Sequence, residues 1–225
     1  MAFIVLEGLD GAGKSTQIRL LQEALERRGQ AFEYLHFPRF DTPVYGELIA
    51  RFLRGELGAV DAVNPYLVAL IYAGDRQQAA PLIRRWLGEG KTVIVDRYVA
   101  SNIAYQCAKL TDPAEKAALG AWIRELEYDR NEIPKPDITL FLDVPFAFTQ
   151  KSLAQNRAGD DREYLRGKAD IHEASLDLQQ AVRQVYLDQA AVDPLFRVID
   201  CAAPDGGMLP PTEAFGRIEE AISHI

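Results

Sequence analysis

The chain has little cysteine, a deficit of positive charge and no long apolar run. Two cysteines, Cys107 and Cys201, stand among 225 residues, with no C-x-x-C pair. That excludes a disulfide framework and reads as free thiols in a reducing compartment. Cys107 is best read as a small buried hydrophobe. Lysine and arginine number 25 against 33 acidic residues, a net charge of −8. Such a balance argues against a surface dedicated to nucleic acid, though it leaves room for a local basic pocket. No apolar stretch approaches the length of a membrane span. The N-terminus enters a strand-like run at once, with no basic leader or cleavage site, so the expected location is cytoplasmic. No internal repeat or low-complexity block is visible. A guanine-reading N-K-x-D element is absent, which counts against a GTPase.

What is present begins at Gly8. The run Gly8-Leu9-Asp10-Gly11-Ala12-Gly13-Lys14-Ser15-Thr16 fits G-x-x-x-x-G-K-[ST], the phosphate-binding P-loop. The apolar residues Phe3 to Leu6 before it suit a buried strand. Gln17 to Arg28 after it carry apolar residues at helical spacing. A triphosphate needs many donors, and the N–H groups of such a turn, with the helix N-terminus behind them, supply them. Lys14 can reach the β- and γ-phosphates, and the Ser15 hydroxyl can ligate Mg²⁺.

Strand-like and helical stretches alternate along the remaining chain. Strands are expected at Ala2–Leu6, Phe32–Phe37, Thr92–Val95, Ile138–Leu142 and Phe196–Ile199. Long helices are expected at Asn64–Leu87, Pro113–Glu132 and Asp170–Val192, the first opened by an Asn cap and Pro65. This alternation implies an α/β fold of three layers, with a five-stranded parallel sheet flanked by helices. The whole chain, 1–225, reads as one domain. The polar, basic stretch at about 155–168 holds Arg157, Arg162 and Arg166. It is either a lid that closes over phosphates or a solvated connector.

Other residues gain meaning from their place at strand ends. Asp96-Arg97-Tyr98 follows an apolar strand, where ligands bind in doubly wound folds. There Asp96 can orient Mg²⁺ water or the attacking phosphate, and Arg97 can bridge two reacting phosphates. A surface salt bridge is the plain alternative. Phe37-Pro38-Arg39 occupies the same place after the second strand, and Arg39 could grip an acceptor phosphate. An arginine after a proline is usually just a loop residue. Tyr72 and Arg76, four apart on one helix face, could stack on and bond a base, or simply touch each other.

Taken in order, these pieces resemble the thymidylate kinases, P-loop nucleoside monophosphate kinases. The resemblance runs from Phe3 to about Tyr186. It rests on Glu7 through Thr16, Phe37-Pro38-Arg39, the Tyr72 and Arg76 pair, Asp96-Arg97-Tyr98 with Ser101-Asn102 and Tyr105-Gln106, Pro134-Lys135-Pro136-Asp137, and Asp170-Ile171-His172-Glu173. It implies an ATP:dTMP phosphotransferase acting with Mg²⁺, for which Ser15, Asp96 and Asp10 are candidate contacts. It puts Tyr72 on thymine, where phenylalanine is common, and Arg76 on the base edge. Asp10 falls near the acceptor's sugar or phosphate, and Arg39 and Arg97 on that phosphate. Tyr105 would crowd the 2′ position. Asn102 and Gln106 face the base or the nearby phosphate. Asp170 and Glu173 bind the acceptor end or close the lid. Some members carry a cation in the loop where this chain has Gly11. The charge is then expected from Arg157, Arg162 or Arg166, as in the bacterial type. Residues near Ala202–Asp205 would border adenine, and a homodimer is implied by analogy. A deoxynucleoside kinase, or an NTP-hydrolysing switch protein, are the rival readings.

Overall fold

Five runs rich in β-branched and aromatic residues form the sheet: β1 Phe3–Gly8, β2 Phe32–His36, β3 Thr92–Asp96, β4 Ile138–Asp143 and β5 Phe196–Asp200. All pair in parallel, in the order β2-β3-β1-β4-β5. This computed structural model describes residues 1–154, 160–167, 170–172 and 175–225, without the side chains of 153–154 and 160–162. The inner strands β1 and β3 are buried along their whole length, whereas the edges β2 and β5 are partly open. Strands covered on both faces need near-continuous apolar runs, and that is how β1 and β3 read.

Among the described residues eight α-helices accompany the sheet: α1 Lys14–Arg27, α2 Tyr45–Leu53, α3 Pro65–Gly88, α4 Val99–Cys107, α5 Pro113–Arg124, α6 Phe146–Ala154, α7 Leu176–Val192 and α8 Pro211–Ala221. The alternation of side chains along each strand divides the core in two. Phe3, Val5, Val93 and Val95 point to one face, with Ile83, Ile103, Leu119 and Val182 of α3, α4, α5 and α7. Ile4, Leu6, Ile94 and Leu140 point to the other, with Ile18 and Leu21 of α1 and Phe215 and Ile218 of α8. A smaller cluster of Ile49, Phe52, Leu53 and Val68 joins α2 to α3. The three-layer parallel architecture expected from the sequence is the one observed.

Two helix expectations need correction. The stretch Asp170–Val192 becomes helical only at Leu176, where the Ser175 side chain accepts from the Leu178 N–H. Upstream, the Asp170 carboxylate accepts from the His172 N–H and turns the chain aside. The stretch Pro113–Glu132 leaves the α-helical path after Arg124 and continues as a wider π-helix, Glu125–Arg130. Within 155–168, Asp160–Leu165 form a 3₁₀ turn. There Leu165 is buried and Tyr164 stacks on Phe40 at 3.7 Å.

One carboxylate ties three of these elements together. Glu7, fully buried in β1, accepts from the Tyr98 and Ser101 N–H groups at the start of α4, at 2.9 and 3.1 Å. Its other oxygen accepts from the Ser101 hydroxyl at 2.5 Å and the Tyr186 hydroxyl of α7 at 2.9 Å. A buried charge is tolerated when it is this fully hydrogen-bonded. Glu7→Gln replaces one accepting oxygen with a donor facing donors. It should cost about 3 kcal/mol or more of unfolding free energy. Urea titration reads this directly, and a loss under about 1 kcal/mol would contradict the network's role.

Candidate functional site

The phosphate loop is built by two glycines and a helix start. Gly11 and Gly13 adopt φ of 76° and 82°, a region that side chains disfavour. Helix α1 then begins with no side-chain cap and no acid in its first turn. Its N–H groups and positive dipole end are left available to an anion. Lys14 is folded under the loop, donating to the Gly8 and Leu9 carbonyls at 3.3 and 3.2 Å. Burial, reinforced by Arg97, holds its amine below the usual lysine value. A cation desolvated in this way is primed for a negatively charged partner.

Parallel pairing sets the next group. Leu6 of β1 lies beside Asp96 of β3, so both strands end at the loop. Asp96 is buried, and its Oδ1 has no hydrogen-bond partner among the described residues. Arg97 follows at φ 64°, a left-handed conformation rare outside glycine and frequent at functional sites. That turn aims its guanidinium back over the loop. It donates to Asp10 at 2.7 Å and to the Ser101 hydroxyl at 3.2 Å, and lies 5.3 Å from the Tyr105 ring centre. Asp10 also accepts from the Tyr105 hydroxyl at 2.8 Å and from Gln179 at 3.2 Å.

These groups line a cavity of about 390 Å³ at the carboxyl ends of β1 and β3. The loop residues Asp10 to Ser15 form one end, with Asp96 and Arg97 beside them. Phe37, Tyr72, Arg76, Ser101, Asn102, Tyr105 and Gln106 form the other, with Asp170. Gly8, Leu9 and Thr16 belong to the same strand–loop–helix unit without lining the cavity. Arg166 lines an adjoining hollow that shares Ser15, His36, Asp96 and Tyr164. Arg157 and Glu173 lie outside the described residues, as does the Arg162 side chain.

Several side chains have engagements that no sequence pattern revealed. Arg39 is turned from the cavity onto Asp75, its Nε donating to the carboxylate at 2.9 Å and its Nη2 to the Asp75 carbonyl at 2.7 Å. Arg76 is only 2% exposed and makes a two-pronged pair with Glu127, at 2.5 and 2.7 Å. Asn102 donates to the Ala69 carbonyl and to Glu127, and Lys109 donates to Gln106. Ser101 serves Glu7 and Tyr186 as well as facing the cavity. Glu127 and Gln179 lie far along the chain, with no local signal. Asp75, next to Arg76, could have been suspected as its neighbour's counter-charge.

His172 closes the wall beside Tyr105, their rings stacked 4.9 Å apart. Burial, helped by the Lys109 charge, lowers its pKa from 6.5 to about 3. The folded protein therefore prefers the neutral ring. The stability this contributes is complete above pH 6.5 and is lost as pH falls toward 3. His172→Gln should accordingly lose less stability than the parent protein between about pH 7 and about pH 4. Urea titrations at the two pH values test this, and equal losses would refute it.

Against this geometry the comparisons are informative. Residues 6–205 match the family described as thymidylate kinase. The chain is 36% identical to the thymidylate kinase of Mycobacterium tuberculosis (strain ATCC 25618 / H37Rv) over 189 residues, covering 84% of this chain and 85% of that protein. It is 35% identical over 203 residues to a probable thymidylate kinase of Thermococcus kodakarensis, covering 88% of each. The solved structure of thymidylate kinase from Candida albicans superposes with a TM-score of 0.73 at 27% identity, covering 99% of this chain and 91% of that one. A family match across most of the sequence, and relatives this similar over so much of their length, agree with the phosphate loop and the two-ended cavity: the chain belongs to the thymidylate kinase family.

Proposed function

We propose that the described cavity is where the chain transfers the γ-phosphate of ATP to dTMP, giving ADP and dTDP. The observation that carries this reading is the two-ended cavity itself. An uncapped helix start with Lys14 sits at one end, an aromatic and amide-lined compartment at the other, and Arg97 between them. In this reading the loop N–H groups from Gly11 to Thr16 and Lys14 hold the donor phosphates. Tyr72 and Phe37 border the acceptor base, Tyr105 and Asp10 its sugar, and Arg97 its phosphate. Arg39, held by Asp75, does not line the cavity, whereas Arg97 does and stands beside the loop.

Phosphoryl transfer asks for alignment and charge neutralisation more than for covalent help. The acceptor phosphate is already anionic, so no strong general base is needed. Lys14 and Arg97 offset the repulsion between the two phosphate groups and spread the charge that develops between them. Asp10 and Ser101 fix the Arg97 guanidinium before substrate arrives, so little reorganisation is required. Arg166, on the segment after the 3₁₀ turn, is the described candidate for a further cation.

The residues present fit Mg²⁺. Asp96 offers a buried oxygen without a partner among the described residues, and Ser15 lines the same cavity. Among the described residues no cluster of three metal-binding side chains forms. That suits an ion held by one or two protein groups and by substrate phosphates. Mg²⁺ held there by Asp96 and Ser15 would neutralise charge on the donor phosphates. Asp10, with its oxygens engaged by Arg97, Tyr105 and Gln179, is the weaker candidate ligand.

The chain as one domain, a cytosolic location and a homodimer complete the reading. The first is supported by the single continuous sheet and the second by two buried free thiols. The third is supported by the exposed Leu67 and Leu70 of α3.

An ADP-release assay with ATP and Mg²⁺ tests the reaction against dTMP, dUMP, dCMP, dGMP, UMP and thymidine. Strong turnover with dTMP, less with dUMP and little with the others is expected. Preference for thymidine would replace the proposal with a nucleoside kinase. In the same assay Arg97→Ala should lower kcat by about a hundredfold or more, because it removes a pre-oriented charge from the reacting phosphates. Near-normal turnover would remove Arg97 from that role.

A further inference from the structure

Glu127 touches two of the polar groups that line the base compartment, Arg76 and Asn102, although it lies on neither of their helices. The side chain is fully buried, carried inward by the π-helical turns that follow α5. Its Oε2 accepts from Arg76 Nε at 2.5 Å, and its Oε1 from Arg76 Nη2 at 2.7 Å. Oε1 also accepts from Asn102 Nδ2 at 2.9 Å. The second partner of that Nδ2 is the Ala69 carbonyl, at 3.0 Å. A carboxylate and a carbonyl can only accept, so the amide has one satisfactory orientation. Its Oδ1 is left buried and without a partner among the described residues, on a side chain that lines the cavity.

We infer that Glu127 is a positioning residue that sets which pyrimidine edge the site accepts; this rests on the proposed transfer to dTMP. Glu127 holds Asn102 with an acceptor toward the base and Arg76 with its charge beside it. A pyrimidine with a ring N–H next to an oxo group offers a donor to that acceptor and an acceptor to that cation. A 4-amino pyrimidine offers the reverse. It would set a lone pair against Oδ1 and an amino group against a guanidinium, leaving buried groups unpaired. Asn102 is symmetric enough to turn over and read either edge. What prevents the turn is the acceptor-only pair behind it, and Glu127 is the side-chain member of that pair.

The test compares dTMP with 5-methyl-dCMP, which keeps the ring, methyl, sugar and phosphate and inverts only the edge. The parent enzyme should strongly prefer dTMP in kcat/KM. In Glu127→Gln one accepting oxygen becomes a donor, so one of the two groups that fix the amide is lost and Arg76 keeps at most one of its two bonds. The preference should then fall by at least about tenfold, chiefly through KM for dTMP. If both substrates lose activity in proportion and the preference stands, Glu127 is only structural and the inference is overturned. Should Glu127→Gln fail to fold by thermal melting, Glu127→Asp, which keeps an accepting carboxylate but withdraws it from Asn102, decides through binding of the two nucleotides. A preference for dTMP that falls by about tenfold or more from the parent's upholds the inference, and an unchanged preference overturns it. Turnover of neither nucleotide by the parent enzyme would instead remove the proposed reaction, while the binding comparison would still read the edge.

Discussion

The buried carboxylate of Glu7 is the constraint on which the site depends. It sits at the end of the central strand, one residue before the phosphate loop, and takes hydrogen bonds from α4 and α7. Apolar burial alone would let α4 slide along the sheet, since the hydrophobic effect is non-directional. Four directed bonds to one fixed group do not allow this. The start of α4 is thereby registered against the loop that β1 delivers. Asp10 and Arg97 then meet across the gap, at a distance set by strand pairing and this one acid.

A second layer of pairing follows the same logic farther from the phosphates. Arg76 is held by Glu127, Arg39 by Asp75, and Asn102 by Glu127 and a backbone carbonyl. Arg97 is likewise held by Asp10, so each of these three arginines has an acid behind it. Isolated charges at this depth would be too costly to keep. The supporting acids make a positive cavity possible in a chain whose net charge is −8. They also hold the side chains in place before any ligand arrives.

The sequence made the strands legible because buried parallel strands leave unbroken apolar runs, and Phe3 to Leu6 and Thr92 to Val95 are such runs. The phosphate loop was legible for a different reason, since its glycines and lysine serve one compact purpose at fixed spacing. What stayed hidden depends on contacts between distant positions. Glu127 reads as an ordinary surface acid of an amphipathic helix until the wide π turns rotate it inward. Gln179 and Tyr186 look like routine helix residues, yet they reach Asp10 and Glu7. Arg39 carried a reasonable signal for phosphate, and the sequence held no hint that Asp75 would draw it aside. The late start of α7 was hidden too, because Asp170 bonds the chain locally and no propensity scale records that bond.

Helix α4 is only nine residues long, yet Ser101, Asn102, Tyr105 and Gln106 all project from it into the cavity. The loop and strand ends that handle phosphate lie on β1 and β3, outside this helix. The phosphate loop and this helix are thus separate stretches of the chain, joined at Glu7 and Ser101. In the proposed reading, substitutions at Asn102, Tyr105 or Gln106 change the acceptor side and leave the loop's own residues in place, whereas Ser101 bears on both sides through Arg97 and Glu7. In the proposed reading the parts that hold phosphate are anchored in the sheet, while the acceptor side is shared among α4, α3 and Phe37, so a change of substrate calls for changes in more than one element.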